Sequence, residues 1–259
     1  MIVDLHNHTS LCNHAEGNID EYIKKAIENS TKYFGFSDHA PMNFDTKYRM
    51  SFKQMKNYEA NILEAKDKYK DKINILLGYE VDYLKSHMDK RVLNADVDYL
   101  IGSVHFINGW GFDNPEFIGQ YKDEDIDEIW QKYFDTIKEM AESKLFDIVG
   151  HLDLIKIFKF MPKKDITLIA KDALLAIKKS DMALEINSAG IRKPIKELYP
   201  SIPLLKEAYK LNIPITFGSD AHKPEQVGEF SNQIIKAAKD VGYSQCVIFT
   251  NRQKEFIDF

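Results

Sequence analysis

Apolar runs of strand length alternate with amphipathic helical segments from one end of this chain to the other. Ile2–His8, Tyr33–Phe36, Ile73–Tyr79, Tyr99–Val104, Leu145–Gly150, Met182–Ile186 and Ile213–Phe217 read as strands, and Cys246–Phe249 is a candidate for one more. Helix signals fall between them. Asn18 with Glu21, and Ser51 with Gln54, have the spacing of capping boxes, the second helix running to about Lys68. Met88–Leu93 is a short helical stretch, followed by Asp123–Ser143, Asp165–Ser180, Ser201–Leu211 (Pro203 in its first turn) and Phe230–Val241. This alternation predicts parallel strands joined by helical crossovers, in a βα barrel or a doubly wound sheet. The 259 residues show no repeat and no linker composition, so a single domain spanning 1–259 is expected. Two connections are long, Met42–Met50 and the aromatic loop Ile107–Tyr121, and loops of that length are usually functional.

Chemistry gathers where the strands end. In an extended chain alternate side chains share a face, so Asp4, His6 and His8 point one way. His39, Glu80, His105, His151, Asp220 and His222 stand at later strand exits, and His14 lies in the first loop on the same rim. Only His87 is left over, and it reads as a surface residue. Histidines scattered for packing would not fall this way, and converging titratable groups point to a functional site. Nine imidazole and carboxylate ligands exceed the needs of one tetrahedral ion. They suit two or three divalent ions, with a carboxylate such as Glu80 shared, and the donor set fits Zn, Mn or Fe. Cys12 reads as a small buried neighbour, and Asp4, Asp38 and Asp153 as partners that orient imidazoles.

Net charge is −5, which argues against nucleic acid as a partner. An anionic substrate then needs local cations. Two distant cysteines, Cys12 and Cys246, suggest free thiols in a reducing compartment. No basic leader is seen and no apolar run reaches the roughly 18 residues of a membrane span, so a cytoplasmic location without membrane contact is expected.

The motifs Asp4-x-His6-x-His8 with His14, Ser37-Asp38-His39, Gly78-Tyr79-Glu80, Gly102-Ser103-Val104-His105, Gly150-His151-Leu152-Asp153, Glu185-Ile186-Asn187 and Gly218-Ser219-Asp220-Ala221-His222 occur in this order. The ordered set resembles the PHP (polymerase and histidinol phosphatase) superfamily. Asn187–Pro194, Glu197–Ser201 and Gly109–Phe112 are similar to its histidinol-phosphatase branch. The resemblance implies a distorted seven-stranded (β/α) barrel with a trinuclear metal site. It implies one ion on His6, His8, Glu80 and Asp220, a second on Glu80, His105 and His151, and a third on His14, His39 and His222.

The implied activity is metal-dependent hydrolysis of a small phosphate monoester, L-histidinol phosphate, with Glu80, Asp220 and His222 in catalytic roles. Arg192 would clamp the phosphoryl group, with His39 and Lys156 as further substrate contacts. Lys156 stands where the branch often has arginine, which keeps the charge but loses the bidentate fork. The 107–121 loop offers aromatic faces for the imidazole end, with Asp113 and Glu116 as carboxylates. The alternatives are a PHP phosphoesterase acting on nucleotides or single-stranded nucleic acid, a barrel amidohydrolase, and a metal-binding module without turnover.

Overall fold

The structure is a computed structural model and describes residues 1–259. Seven strands form one sheet, and every pairing in it is parallel: β1 (Val3–Asp4), β2 (Tyr33–His39), β3 (Asn74–Asp82), β4 (Tyr99–Ser103), β5 (Ile148–Val149), β6 (Ala183–Asn187) and β7 (Ile215–Gly218). Their spatial order is their sequence order. The two edges then meet. Leu5 N donates to the Phe217 carbonyl at 2.9 Å, Asp220 N to His6 at 2.7 Å, and His8 N to Ala221 at 3.0 Å. The result is the nearly closed seven-stranded α/β barrel expected from the resemblance, which settles the choice left open by periodicity. β1 and β5 are much shorter than the apolar runs around them, because beyond Asp4 and Val149 the chain bends into the rim.

The helical crossovers cover the outside. Ile19–Glu28 begins with the expected capping box, Asn18 and Glu21 exchanging side-chain-to-backbone bonds. The second helix starts later than expected, at Met55, because Gln54 Oε1 instead accepts from Ser51 N and Oγ in a preceding turn. Ile126–Ser143 buries Ile129, Trp130, Tyr133, Phe134, Ile137, Met140 and Ala141, a single helical stripe facing the core. The expected Asp165–Ser180 helix is two, Ile166–Ile169 and Lys171–Lys179. The long aromatic loop is ordered by a small ribbon, Phe106–Ile107 with Trp110–Gly111, and by a 3₁₀ stretch, Pro115–Lys122.

The last strand candidate proved to be half of a hairpin, β8 (Gln245–Thr250) with β9 (Gln253–Asp258). β9 was not anticipated because its side chains are mostly polar and exposed. The hairpin turn reaches the entrances of the barrel strands. Arg252 N donates to the Asp98 carbonyl at 2.8 Å, and the Arg252 side chain meets Leu145 O (2.8 Å) and the Asp147 carboxylate. Cys246–Phe249 therefore pack with Val3, Leu5, Leu76 and Ile101 across the end opposite the strand exits. No helix is long and apolar enough to cross a membrane.

Inside the barrel Tyr99 reaches across from β4, its hydroxyl donating to Leu5 O at 2.6 Å. It fits because position 35 is glycine: a Cβ there would lie 2.0 Å from the Tyr99 hydroxyl. Gly35→Ala should overpack this layer and cost about 1–3 kcal/mol of stability. Urea denaturation checks this, and an unchanged midpoint would contradict the packing described.

Candidate metal centre and cleft

A cleft of about 560 Å³ opens over the strand exits, within the range that holds small ligands. Its centre is Glu80, delivered by β3 and 1% exposed. The two carboxylate oxygens face different imidazoles. Oε2 lies 3.4 Å from His6 Nε2, 3.7 Å from His8 Nε2 and 3.0 Å from His39 Nδ1. Oε1 lies 2.8 Å from His151 Nε2 and 3.7 Å from His105 Nε2. Asp220 Oδ1 completes the first side, 3.2 Å from His8 Nε2. The rings of His14, His39 and His222 gather beside His8, with His8 and His222 stacked at 4.0 Å. All nine residues expected at the rim are thus brought together.

Other carboxylates hold the rings in place. Glu185 on β6 sets Oε1 2.7 Å from His6 Nδ1, while its Oε2 accepts from His151 N at 2.7 Å. Asp82 Oδ1 is 2.6 Å from His105 Nδ1, and its Oδ2 accepts from Arg49 Nη1 at 2.7 Å. Asp38 is 3.3 Å from His8 Nδ1. Each contact occupies Nδ1 and leaves Nε2 to the cleft, the arrangement in which an outer carboxylate fixes a ligating imidazole. Gly218 permits it at His6, since a Cβ there would lie 2.0 Å from Glu185 Oε1.

Two expectations of this kind are corrected. Asp4 accepts from Ser219 N (2.9 Å) and Oγ (2.7 Å) and splices the exit of β1 to that of β7. There Asp220 takes a left-handed turn at φ +52, which an aspartate tolerates, and points into the cleft. Asp153 accepts from Ser201 N at 2.9 Å and meets Lys156 at 3.2 Å, touching no imidazole. Glu185 and Asp82 were missed as orienting groups. Asp82 is two residues beyond Glu80 on the same strand face, and that parity was the available signal.

Buried nitrogens left without hydrogen bonds show that the donors suit cations. His6 Nε2, His8 Nε2 and His39 Nδ1 are all enclosed and unpartnered. Tetrahedral sites with bonds of 2.0–2.1 Å separate their ligand atoms by about 3.3 Å, close to the 3.2–3.7 Å between His6, His8, Glu80 and Asp220 described above. The sets His6–His8–Glu80, Glu80–His105–His151 and His14–His39–His222 each hold ligand atoms within 4.8 Å of one another and can take a metal ion.

Without metal, protons do the balancing. Burial penalises charge on His8 and His105, but facing carboxylates outweigh it, Asp220 and Asp38 raising His8 to about 9 and Asp82 raising His105 to about 10. Burial pushes His39 down to about 4 and, with the like charge of His8, holds His222 well below its ordinary value. For Glu80 burial opposes charge, yet His39 and His6 hold it well below the usual carboxylate range. Burial sends the Cys12 thiol upward, so it stays protonated beside the cluster.

The cations divide differently from expectation. Arg192 lines the cleft, its Nη2 donating to the Ser219 and Asp220 carbonyls at 2.8 Å each. Its ion-pair partner is Glu229, at 3.5 Å, and not Glu197. Lys156 does not line the cleft. It is fully enclosed, donating to Leu198 O at 2.9 Å between Asp153 and Glu197, because its carbon stem turns into the core. The exposed Lys193, unanticipated, lines the cleft instead. Asp113 also lines it, while Glu116 points outward toward Lys47 at 3.9 Å. His87 is half-buried, its ring 4.9 Å from Phe44.

Comparison with known proteins agrees with this geometry. The PHP domain model matches residues 4–189, and a PHP-associated model matches 205–241. A Deinococcus radiodurans protein named "Probable histidinol-phosphatase" is 36% identical over 98% of this chain and 98% of its own. The crystal structure of the hisK protein of Listeria monocytogenes shares the fold with a TM-score of 0.81 at 26% identity, covering 89% of this chain and 99% of that one. The histidinol phosphate phosphatase of Lactococcus lactis, solved with zinc, L-histidinol and phosphate, gives 0.78 at 21% identity, over 98% of both chains. With its family model matching far more than half its length and its rim built from that family's motifs, the chain belongs to the PHP family.

Proposed function

We propose that this chain is a metal-dependent phosphomonoesterase that hydrolyses L-histidinol phosphate to L-histidinol and inorganic phosphate. The observation that carries the reading is Glu80, one buried carboxylate whose two oxygens face separate groups of imidazoles. The relatives' names, including that of the Deinococcus protein, supply the substrate. The whole chain acts as one domain, since the seventh barrel strand and Asp220 come from beyond the first family match.

His6, His8, Glu80 and Asp220 would hold one divalent ion, Glu80, His105 and His151 a second, and His14, His39 and His222 a third, of Zn, Mn or Fe. When bound, such ions lower the pKa of water toward 7 and offset charge on a phosphoryl group. The protein's part is to fix the donors. Glu185, Asp82 and Asp38 keep Nε2 of His6, His105 and His8 turned to the cleft. Arg192 adds positive charge beside Asp220, where the phosphoryl group would lie. Asp220, His222 and His39 face the same space and are the groups available to contact substrate and steer a proton to the leaving alcohol. A single-stranded nucleic acid would call for a basic track, at odds with a net charge of −5.

Phosphate release from histidinol phosphate, compared with nucleoside monophosphates and single-stranded DNA, tests the reading; a clear preference for nucleic acid overturns it. Elemental analysis should find more than one ion per chain. Glu80→Ala or His105→Ala should lose about a hundredfold or more in turnover, and full activity in either variant is incompatible with shared ions. Glu185→Gln should weaken metal affinity by about 10- to 100-fold, read by competition with a chelator. Because His8 and His105 titrate at about 9 and 10 without metal, both carry protons at pH 7. Metal loading should therefore release protons, and affinity should fall as pH falls. Calorimetry in buffers of different ionisation enthalpy reads the protons released; identical heats would contradict it.

A further inference from the structure

The cleft wall built by residues 106–122 carries a charge that the rim does not use. Glu80 and Asp220 face imidazoles, Asp45 faces Arg49, and Asp82 faces both Arg49 and His105. Asp113 alone among the cleft carboxylates is paired with no Lys, Arg or His side chain. It follows the exit of β4, whereas Arg192 and Lys193 follow β6, and the exit of β5 with His151 stands between them. The two walls therefore differ in sign.

Two aromatic rings accompany Asp113. A Cβ on Gly111 would meet Phe106 Cε1 at 3.3 Å and Phe117 Cδ2 at 3.8 Å, so both rings close over the backbone two residues before the carboxylate. Phe117 is 44% exposed at the mouth of the cleft, an apolar face that the chain leaves uncovered. The segment is pinned, with Trp110 Nε1 donating to Phe117 O at 3.3 Å and Asn114 capping the following turn. An unpaired carboxylate beside aromatic faces suits an organic cation, its charge meeting the carboxylate and its body the rings.

We propose that Asp113, flanked by Phe106 and Phe117, is the subsite for a cationic group on the alcohol half of the substrate, an ammonium or imidazolium, and sets a preference for cationic phosphate monoesters. The inference rests on the phosphomonoesterase reading above. A phosphoryl group beside Arg192 and a cation beside Asp113 match the polarity of the cleft from one wall to the other.

The test compares kcat/KM for histidinol phosphate and for phenyl phosphate in the metal-loaded enzyme. In Asp113→Asn the ratio of the two should fall by about tenfold to a hundredfold, the equivalent of one charge-assisted hydrogen bond, chiefly through KM. Asp113→Glu should recover part of it. L-histidinol should inhibit phenyl phosphate hydrolysis, with a weaker Ki in Asp113→Asn. A merely structural role would lower both substrates alike and leave the ratio unmoved, which overturns the inference. Should Asp113→Asn not fold, Phe117→Ala at the exposed mouth reads the same ratio, and an unchanged ratio there is equally fatal. Wild-type enzyme that cleaves phenyl phosphate but not histidinol phosphate brings down the functional reading as well. Preferred turnover of histidinol phosphate with an unmoved ratio removes only the inference.

Discussion

A carboxylate enclosed at the top of a barrel is the constraint around which this protein is arranged. Burying an unpaired anion costs far more than one contact returns, and Glu80 is almost wholly enclosed. Its charge is tolerable only if cationic partners approach both oxygens, and five imidazoles do so from different strands. Those imidazoles are useful only in one orientation, which explains the layer of Glu185, Asp82 and Asp38 behind them. That layer in turn restricts the backbone, as at Gly218, where any side chain would displace Glu185 from His6. One buried charge thus dictates residue types two shells away.

Much of this was legible before any coordinates. Parallel strands bring their C-terminal ends together, so residues at those exits must converge wherever the fold closes. His6, Glu80, His151 and Asp220 follow from that rule alone. The orienting groups were harder because they sit one strand-repeat away, inside a strand for Glu185 and past the site for Asp82, where position does not announce a role. Asp4 and Asp153 failed as ring partners because backbone amides of Ser219 and Ser201 claimed them first. Lys156 failed for a related reason: a long side chain can turn either way from one Cα, and here the inward acceptors won. The polar strand Gln253–Asp258 has no apolar alternation to betray it, since it is held by pairing with β8.

Stability and chemistry are divided between the two ends of the barrel. Aromatic and aliphatic packing, including Tyr99 and the C-terminal hairpin, fills the lower end. The exit loops carry cations on one wall and an acidic, aromatic face on another. Loops mounted on a rigid frame can change without disturbing it, so recognition of the alcohol and activation at the rim are separable properties of this fold.

The ring is completed by its first and last strands. The contacts of Leu5, His6 and His8 with residues 217–221 join segments more than 200 positions apart. During synthesis on a ribosome the leading edge of the sheet must therefore wait, unpaired, until most of the chain has emerged. Such distant pairing makes for slow folding, and a product terminated before β7 would have an open edge prone to pairing with other chains.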